Sequence, residues 1–260
     1  MTRAERRTTG KQPRATARPR RGHQTDRSHR FHWQVAIVWV TAFVIRLIYL
    51  WQIRSAPYFE TLLGDARGYD AWAQRIAAGD WIGEGVFYQA PLYPYFLGVM
   101  YSLVGRDLFL VRVCQAMLGA AGCALLALAG RRLHSEKVGV IGGFGLAIYA
   151  PAIFFDGLLQ KSVLDVLFVA LVLWIFSGII DEPARRSRWF SLGLALGVLA
   201  LTRENALLLV VPIVLWRVMQ SDVSWQSRAL QSTMLALSSG CCWCYCPSPY
   251  GTASSAANGT

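Results

Sequence analysis

The chain has 260 residues, of which 54% are apolar and 16% charged, and its mean hydropathy is +0.35. A soluble domain carries about 25% charged residues, so a chain this apolar has too little polar surface to cover itself in water. The composition points to a membrane protein and excludes a disordered chain, a collagen and an ordinary soluble enzyme.

The net charge of +11 is unevenly placed. Residues 1–32 hold ten Arg or Lys against Glu5 and Asp26, which leaves a net +3 on the remainder. This stretch is rich in Arg, Thr, Gln and Pro and has almost nothing apolar to bury, so it is expected to be a disordered tail. Its plainest role is a cytoplasmic topology anchor; a contact with nucleic acid or anionic lipid is the alternative. No small-residue cleavage site follows the first apolar run, so a signal peptide is not expected.

Crossing a hydrocarbon core of about 30 Å takes about 20 apolar residues. Seven segments are candidates: 33–51, 108–130, 138–155, 162–180, 189–201, 206–218 and 229–246. They predict an all-α, polytopic transmembrane helix bundle of about seven spans, its membrane module covering residues 33–238.

Residues 90–105 (APLYPYFLGVMYSLVG) are short for a span and carry Pro91 and Pro94 at their start. Loop charge decides their place, because cytoplasmic loops gather Lys and Arg. With 90–105 on the surface, Arg131, Arg132 and Lys137, then Arg185, Arg186 and Arg188, then Arg217 and Arg228 all fall on the side of the basic tail. If the segment crossed, these clusters would oppose the tail. The segment is therefore placed on the outer face of a cytoplasmic (inner) membrane, with the N-terminus inside.

That topology gives an outer segment of residues 53–107 and short outer loops at 156–161 and 202–205. The long segment holds six acids (Glu60, Asp65, Asp70, Asp80, Glu84 and Asp107) among aromatics that favour the water–lipid boundary, such as Trp72, Trp81 and Tyr95. Residues 66–78 (ARGYDAWAQRIAA) predict an amphipathic helix lying on the membrane. Asp65 precedes it, where a capping carboxylate is favoured by the helix dipole; a purely structural cap and a functional acid both fit that position.

Ionisable groups beside apolar spans are costly and mark either function or a boundary. Lys161 and Asp165 in FFDGLLQKSVLD are four apart and share a helical face, either as a neutralising pair or as a phosphate-holding cation beside an acid that shapes a pocket. Arg203–Glu204 at an outer helix end is a local ion pair or a phosphate contact. Arg112, early in its span, either snorkels outward or serves the site. Three of the four histidines (His23, His29, His32) lie in the tail and His134 in a basic loop, so no His-based metal or catalytic site is expected. There is no Walker A loop and no HExxH motif. No long internal repeat supports an inverted-repeat transporter.

The order of motifs GDARGYDAWAQRIAAGDW, YQAPLYPYFLGVMYSLVG, LFLVRVCQAMLG, FDGLLQKSVLD and ALTRENALLLVVPIVLW resembles the GT-C integral-membrane glycosyltransferases. That superfamily takes in the protein O-mannosyltransferases, the lipid A aminoarabinose transferase and the RgtA/B/C/D-like bacterial enzymes. The resemblance implies transfer of a sugar from a polyprenyl-phosphate donor to a lipid, glycan or protein acceptor on the outer face. It implies no cofactor, no metal requirement and no nucleic-acid partner. Asp65 and Tyr69 match the family's first-loop pattern D-E-x-x-Y, with Ala66 in place of the second acid. The resemblance makes Asp65 the general base, Asp165 the later catalytic acid residue, and Tyr69, Arg112, Lys161 and Arg203 substrate-binding residues. The competing class is a polytopic transporter or other non-enzymatic membrane protein, which would place its key charges near mid-membrane.

Residues 239–260 break character, with Cys241, Cys242, Cys244 and Cys246 crowded together. Zinc prefers spaced cysteine pairs, and a disulfide cluster is a further reading. The reading adopted is a frameshifted or unstructured tail. In GC-rich codons, reading two bases forward from Cys241 gives LLVLLPVAVRNRVVGGEWH, an apolar span continuing as GT-C relatives do. On this reading the chain is the front part of a longer enzyme, which leaves the activity of the truncated product open.

Overall fold

The computed structural model describes residues 21–81, 90–183, 185–219 and the single positions 235 and 238. Residues 1–20, the expected seventh span at 229–246 and the expected frameshifted tail at 239–260 lie outside the described residues, the positions 235 and 238 apart. Every regular element among the described residues is helical.

Helix α1 (Arg21–Ile53) begins inside the stretch expected to be disordered. Once an apolar span is helical, each further residue adds a hydrogen bond without a new nucleation cost, so helix propagates into polar sequence. A 3-10 turn at Pro57–Phe59 leads to α2 (Asp65–Ala77), the expected amphipathic helix. Residues 90–105 form α3 (Leu92–Val104), only 13 residues long. At about 1.5 Å per residue it falls well short of a bilayer. It packs against α2, with Ile76 seated on Gly98.

Helix α4 (Leu108–Leu133) is the hub, in contact with α1, with α5 (Glu136–Ala147) and α6 (Ala150–Asp156), and with α7 (Ser162–Asp181). Its meeting with α5 is backbone on backbone: a Cβ on Gly130 would lie 2.8 Å from Gly139 Cα. Small residues at such crossings supply the close packing that substitutes for a hydrophobic drive between helices in lipid. Helix α8 (Arg186–Ala200) returns alongside α7, and a 3-10 turn at Glu204–Leu209 opens α9 (Val210–Met219).

Residues 29–53, α4 and α7 are each long and apolar enough to cross a membrane. The expected span at 138–155 is instead a broken pair, α5 and α6, bent by 55°. Pro151 explains the break, because it has no N–H to offer the Ala147 carbonyl one turn back. Arg46 supplies the missing donor, its Nη1 reaching Ala147 O at 3.4 Å. The expected spans at 189–201 and 206–218 take the form of the 15-residue α8 and a turn followed by the 10-residue α9. The multi-pass helical bundle is therefore present, with three full-length spans, or up to four counting the broken pair, among the described residues.

Candidate functional site: a charged cavity at one end of the bundle

Tyr69 and Ala73 of α2 and Tyr93, Leu97 and Tyr101 of α3 form one buried cluster with Leu108 and Val111 of α4 and Leu159, Val163 and Leu164 around the start of α7. This apolar contact seats the α2–α3 pair on one end of the spanning helices. The backbone N–H of Leu92 donates to Leu201 O at 3.4 Å, tying the start of α3 to the end of α8. Three remote parts of the sequence thus converge at a single place.

There they enclose a polar cavity of about 400 Å³ lined by Asp65, Tyr69, Ala90, Lys161, Thr202, Arg203, Glu204 and Asn205. Asp65 is the first residue of α2, following Gly64 in the left-handed region at φ 58°. Its carboxylate is exposed at the rim. Tyr69, one turn on, is buried, its ring edge-on to Tyr93 with centroids 5.1 Å apart. Burial pushes the Tyr69 phenol above its ordinary range, the charges of Asp65 and Asp165 add to this, and Arg203 partly offsets it. Tyr69 therefore offers a protonated hydroxyl at neutral pH.

Lys161 is the residue immediately before α7 and lines the cavity from that helix end. It makes no ion pair among the described residues. Asp165, expected to share a face with Lys161, instead accepts from Arg203 Nε at 2.6 Å. Arg203 is accordingly paired with Asp165 and not with its neighbour Glu204. The other Asp165 oxygen is buried and accepts no hydrogen bond among the described residues. Thr202 is buried beside them, its hydroxyl donating to Leu199 O at 2.7 Å.

Arg112 does not line this cavity and does not snorkel. It is 1% exposed, and its Nε, Nη2 and Nη1 donate to the carbonyls of Gly157, Phe59 and Leu108 at 2.9, 2.7 and 3.3 Å. Three residues along α4, Gln115 donates to Asp156 O and Leu158 O at 3.0 and 2.7 Å and accepts from Tyr93 at 2.7 Å. Together they satisfy the carbonyls at the end of α6 and fix the turn that leads to Lys161.

Four of the six site residues expected from the sequence, Asp65, Tyr69, Lys161 and Arg203, line the cavity, and Asp165 adjoins it through its bond to Arg203; Ala90, Thr202 and Asn205 were not singled out. The contiguous run TREN after an apolar segment was the available signal. Sequence reading also missed Asp70, which clamps α2 to α3. Asp70 accepts from Tyr101 Oη at 2.6 Å, from Arg106 Nε and Nη2 at 2.9 and 3.0 Å, and from Gln74 at 2.9 Å. Buried deeper, Arg46 and Asp156 pair at 2.6 Å between α1 and α6. That pair lines no part of the polar cavity. A second, apolar cavity of about 320 Å³ runs between α7 and α9, lined by residues including Val172, Phe176, Leu209 and Trp216.

Residues 88–245 match the family model described as dolichyl-phosphate-mannose-protein mannosyltransferase. The matched stretch contains Arg112, Lys161, Asp165 and Arg203 and begins after Asp65 and Tyr69. No curated protein and no solved structure matches the chain.

Proposed function

Because the chain belongs to the dolichyl-phosphate-mannose-protein mannosyltransferase family of GT-C membrane glycosyltransferases, we propose that its polar cavity moves a sugar from a polyprenyl-phosphate donor to an acceptor at the outer membrane face. The observation that carries this reading is the convergence of Asp65 with Lys161 and Arg203 around one cavity.

Asp65 takes the proton from an acceptor hydroxyl or amine as that atom attacks the anomeric carbon. The bond from that carbon to the phosphate oxygen breaks, and the electron pair leaves with the prenyl phosphate. Lys161 and Arg203 receive the developing charge, since fixed cations stabilise a transition state where charge accumulates. Asp165 sets the direction of Arg203, and the Tyr69 hydroxyl is available to the sugar or the phosphate. Arg112 serves through the backbone, by holding the turn before Lys161. The apolar cavity beside α7 and α9 offers a groove for the prenyl chain.

An inner-membrane setting with the N-terminus in the cytoplasm is supported by Arg131, Arg132, Arg185, Arg186 and Arg188, which lie at the far ends of α4 and α7 from the cavity. The donor and acceptor are tested by incubating membranes containing the full chain with a labelled polyprenyl-phosphate sugar, reading both transfer and release of sugar to water. Asp65→Asn should lower turnover by about 10²- to 10⁴-fold; equal turnover would remove Asp65 as the base.

A further inference from the structure

Helix α7 has 20 residues, so at about 1.5 Å per residue its two ends stand about one hydrocarbon thickness apart. The charged cavity occupies one end. At the other, two guanidinium groups from different helices converge on one glycine. Arg132 Nη1, from the last turn of α4, and Arg188 Nη1, from the first turn of α8, lie 3.1 and 3.4 Å from the position a Cβ on Gly178 would take. Arg188 donates to the Gly178 carbonyl. Arg185 and Arg186 stand beside it, exposed.

The local charge is unbalanced. Glu182 is shared between Arg185 at 3.5 Å and Arg188 at 3.3 Å. Glu136 is taken by Arg131 at 3.4 Å, and Asp181 is the remaining acid close by. Arg132 has no carboxylate and no hydrogen bond among the described residues; its guanidinium rests 5.3 Å over the Trp174 ring. Like charges held this close repel unless an anion lies between them. The flanks are apolar: Leu133 on α4 and Leu173 and Ile180 on one face of α7 are all exposed. A phosphate above and acyl chains below is the ligand this arrangement fits, and free phosphate would leave the apolar flanks unused.

We propose that Arg132 and Arg188, with Arg185 and Arg186 beside them, bind the phosphate headgroup of an anionic phospholipid at the membrane face opposite the charged cavity.

The test uses the purified full chain in neutral detergent, with short-chain phosphatidylglycerol, short-chain phosphatidylcholine or inorganic phosphate added, and reads the thermal midpoint. Phosphatidylglycerol should raise the midpoint by several degrees, and the other two should not. Arg132→Gln removes a guanidinium that makes no hydrogen bond within the described protein, so it should fold and lose most of the shift. Arg132→Gln with Arg188→Gln should lose all of it, and Arg54→Gln, at the other end of the bundle, should keep it. A phosphatidylglycerol shift no larger than that of phosphatidylcholine, an equal shift from inorganic phosphate, or a full shift in Arg132→Gln would each overturn the proposal.

Discussion

Asp165 Oδ2 and Arg203 Nε, 38 residues apart in sequence, meet at 2.6 Å beneath the charged cavity. The acid side chain is 11% exposed and the arginine 60%, so a fixed carboxylate steers a cation that still reaches into open space. Because the arginine lies largely in solvent, losing the acid strands no buried charge, and the pair contributes no more than about 1 kcal/mol to stability. Asp165→Asn should therefore leave the thermal midpoint nearly unchanged. Misdirecting a phosphate-facing group is costlier in rate, and kcat/KM for the labelled donor should fall about 10- to 100-fold. Arg203→Lys keeps the charge without the planar fork and should fall by a similar factor. A variant that loses its fold but keeps full activity per folded molecule would make the pair structural.

The periodicities of the sequence carried the elements and failed at contacts between them. The amphipathic run after Asp65 became α2, and residues 90–105 formed the 13-residue α3, too short to span. The i,i+4 spacing of Lys161 and Asp165 suggested a pair, but α7 begins at Ser162, which leaves Lys161 at the helix end while Asp165 pairs with Arg203 beyond α8. No local pattern reports a partner 38 positions away. Arg112 read as an exposed or functional cation because a span gives no sign of which carbonyls lie across from it; three of them take its donors. Pro151, inside the expected span at 138–155, is the local sign of the break between α5 and α6, and a reading on apolar composition alone passes over it.

Arg46 and Asp156 are both nearly inaccessible, with side chains 1% and 4% exposed. Removing one partner of a buried ion pair strands the other charge and costs about 3–5 kcal/mol. Arg46→Met and Asp156→Leu should each destabilise by that order. The double variant should be more stable than either single one, because no charge is stranded. It should still fall short of the parent, since Arg46 also donates to Ala147 O beside Pro151. Unfolding midpoints of the three variants in the same detergent check this ordering; additive losses would contradict it.

Asp70 predicts a pH dependence confined to the α2–α3 clamp. Burial alone would raise its carboxyl, but the hydrogen bonds from Arg106, Tyr101 and Gln74 outweigh it and hold the pKa below the ordinary 3.8. A depressed carboxylate contributes stability that is full above its unfolded value and is lost as pH falls through the folded one. The stability difference between the parent and Asp70→Asn should therefore be largest near neutral pH and shrink once the pH drops below 3.8. Thermal midpoints of both proteins across an acid series measure it. A difference that stays constant into that range would show that the clamp holds by shape and neutral hydrogen bonds alone.

Gly119 predicts the sharpest contrast between two glycines of the same bundle. It lies on α4 opposite the buried ion pair, where a Cβ would stand 2.8 Å from Arg46 Nε and overlap the Asp156 carboxylate. Those atoms belong to side chains, but both side chains are buried and held by their mutual bond, so they cannot step away. Gly119→Ala should cost about 1–3 kcal/mol, the range for overpacking a filled interior. Gly142 on α5 meets nothing within 4 Å, and Gly142→Ala should be neutral or gain up to about 1 kcal/mol of helix propensity. Coupling supplies the decisive measurement. If the glycine exists to make room for the pair, Gly119→Ala should cost far less in a background already carrying Arg46→Met and Asp156→Leu, giving a clear non-additive term in the cycle. An unchanged cost there would mean that Gly119 is required by the helix backbone and not by the charges it faces.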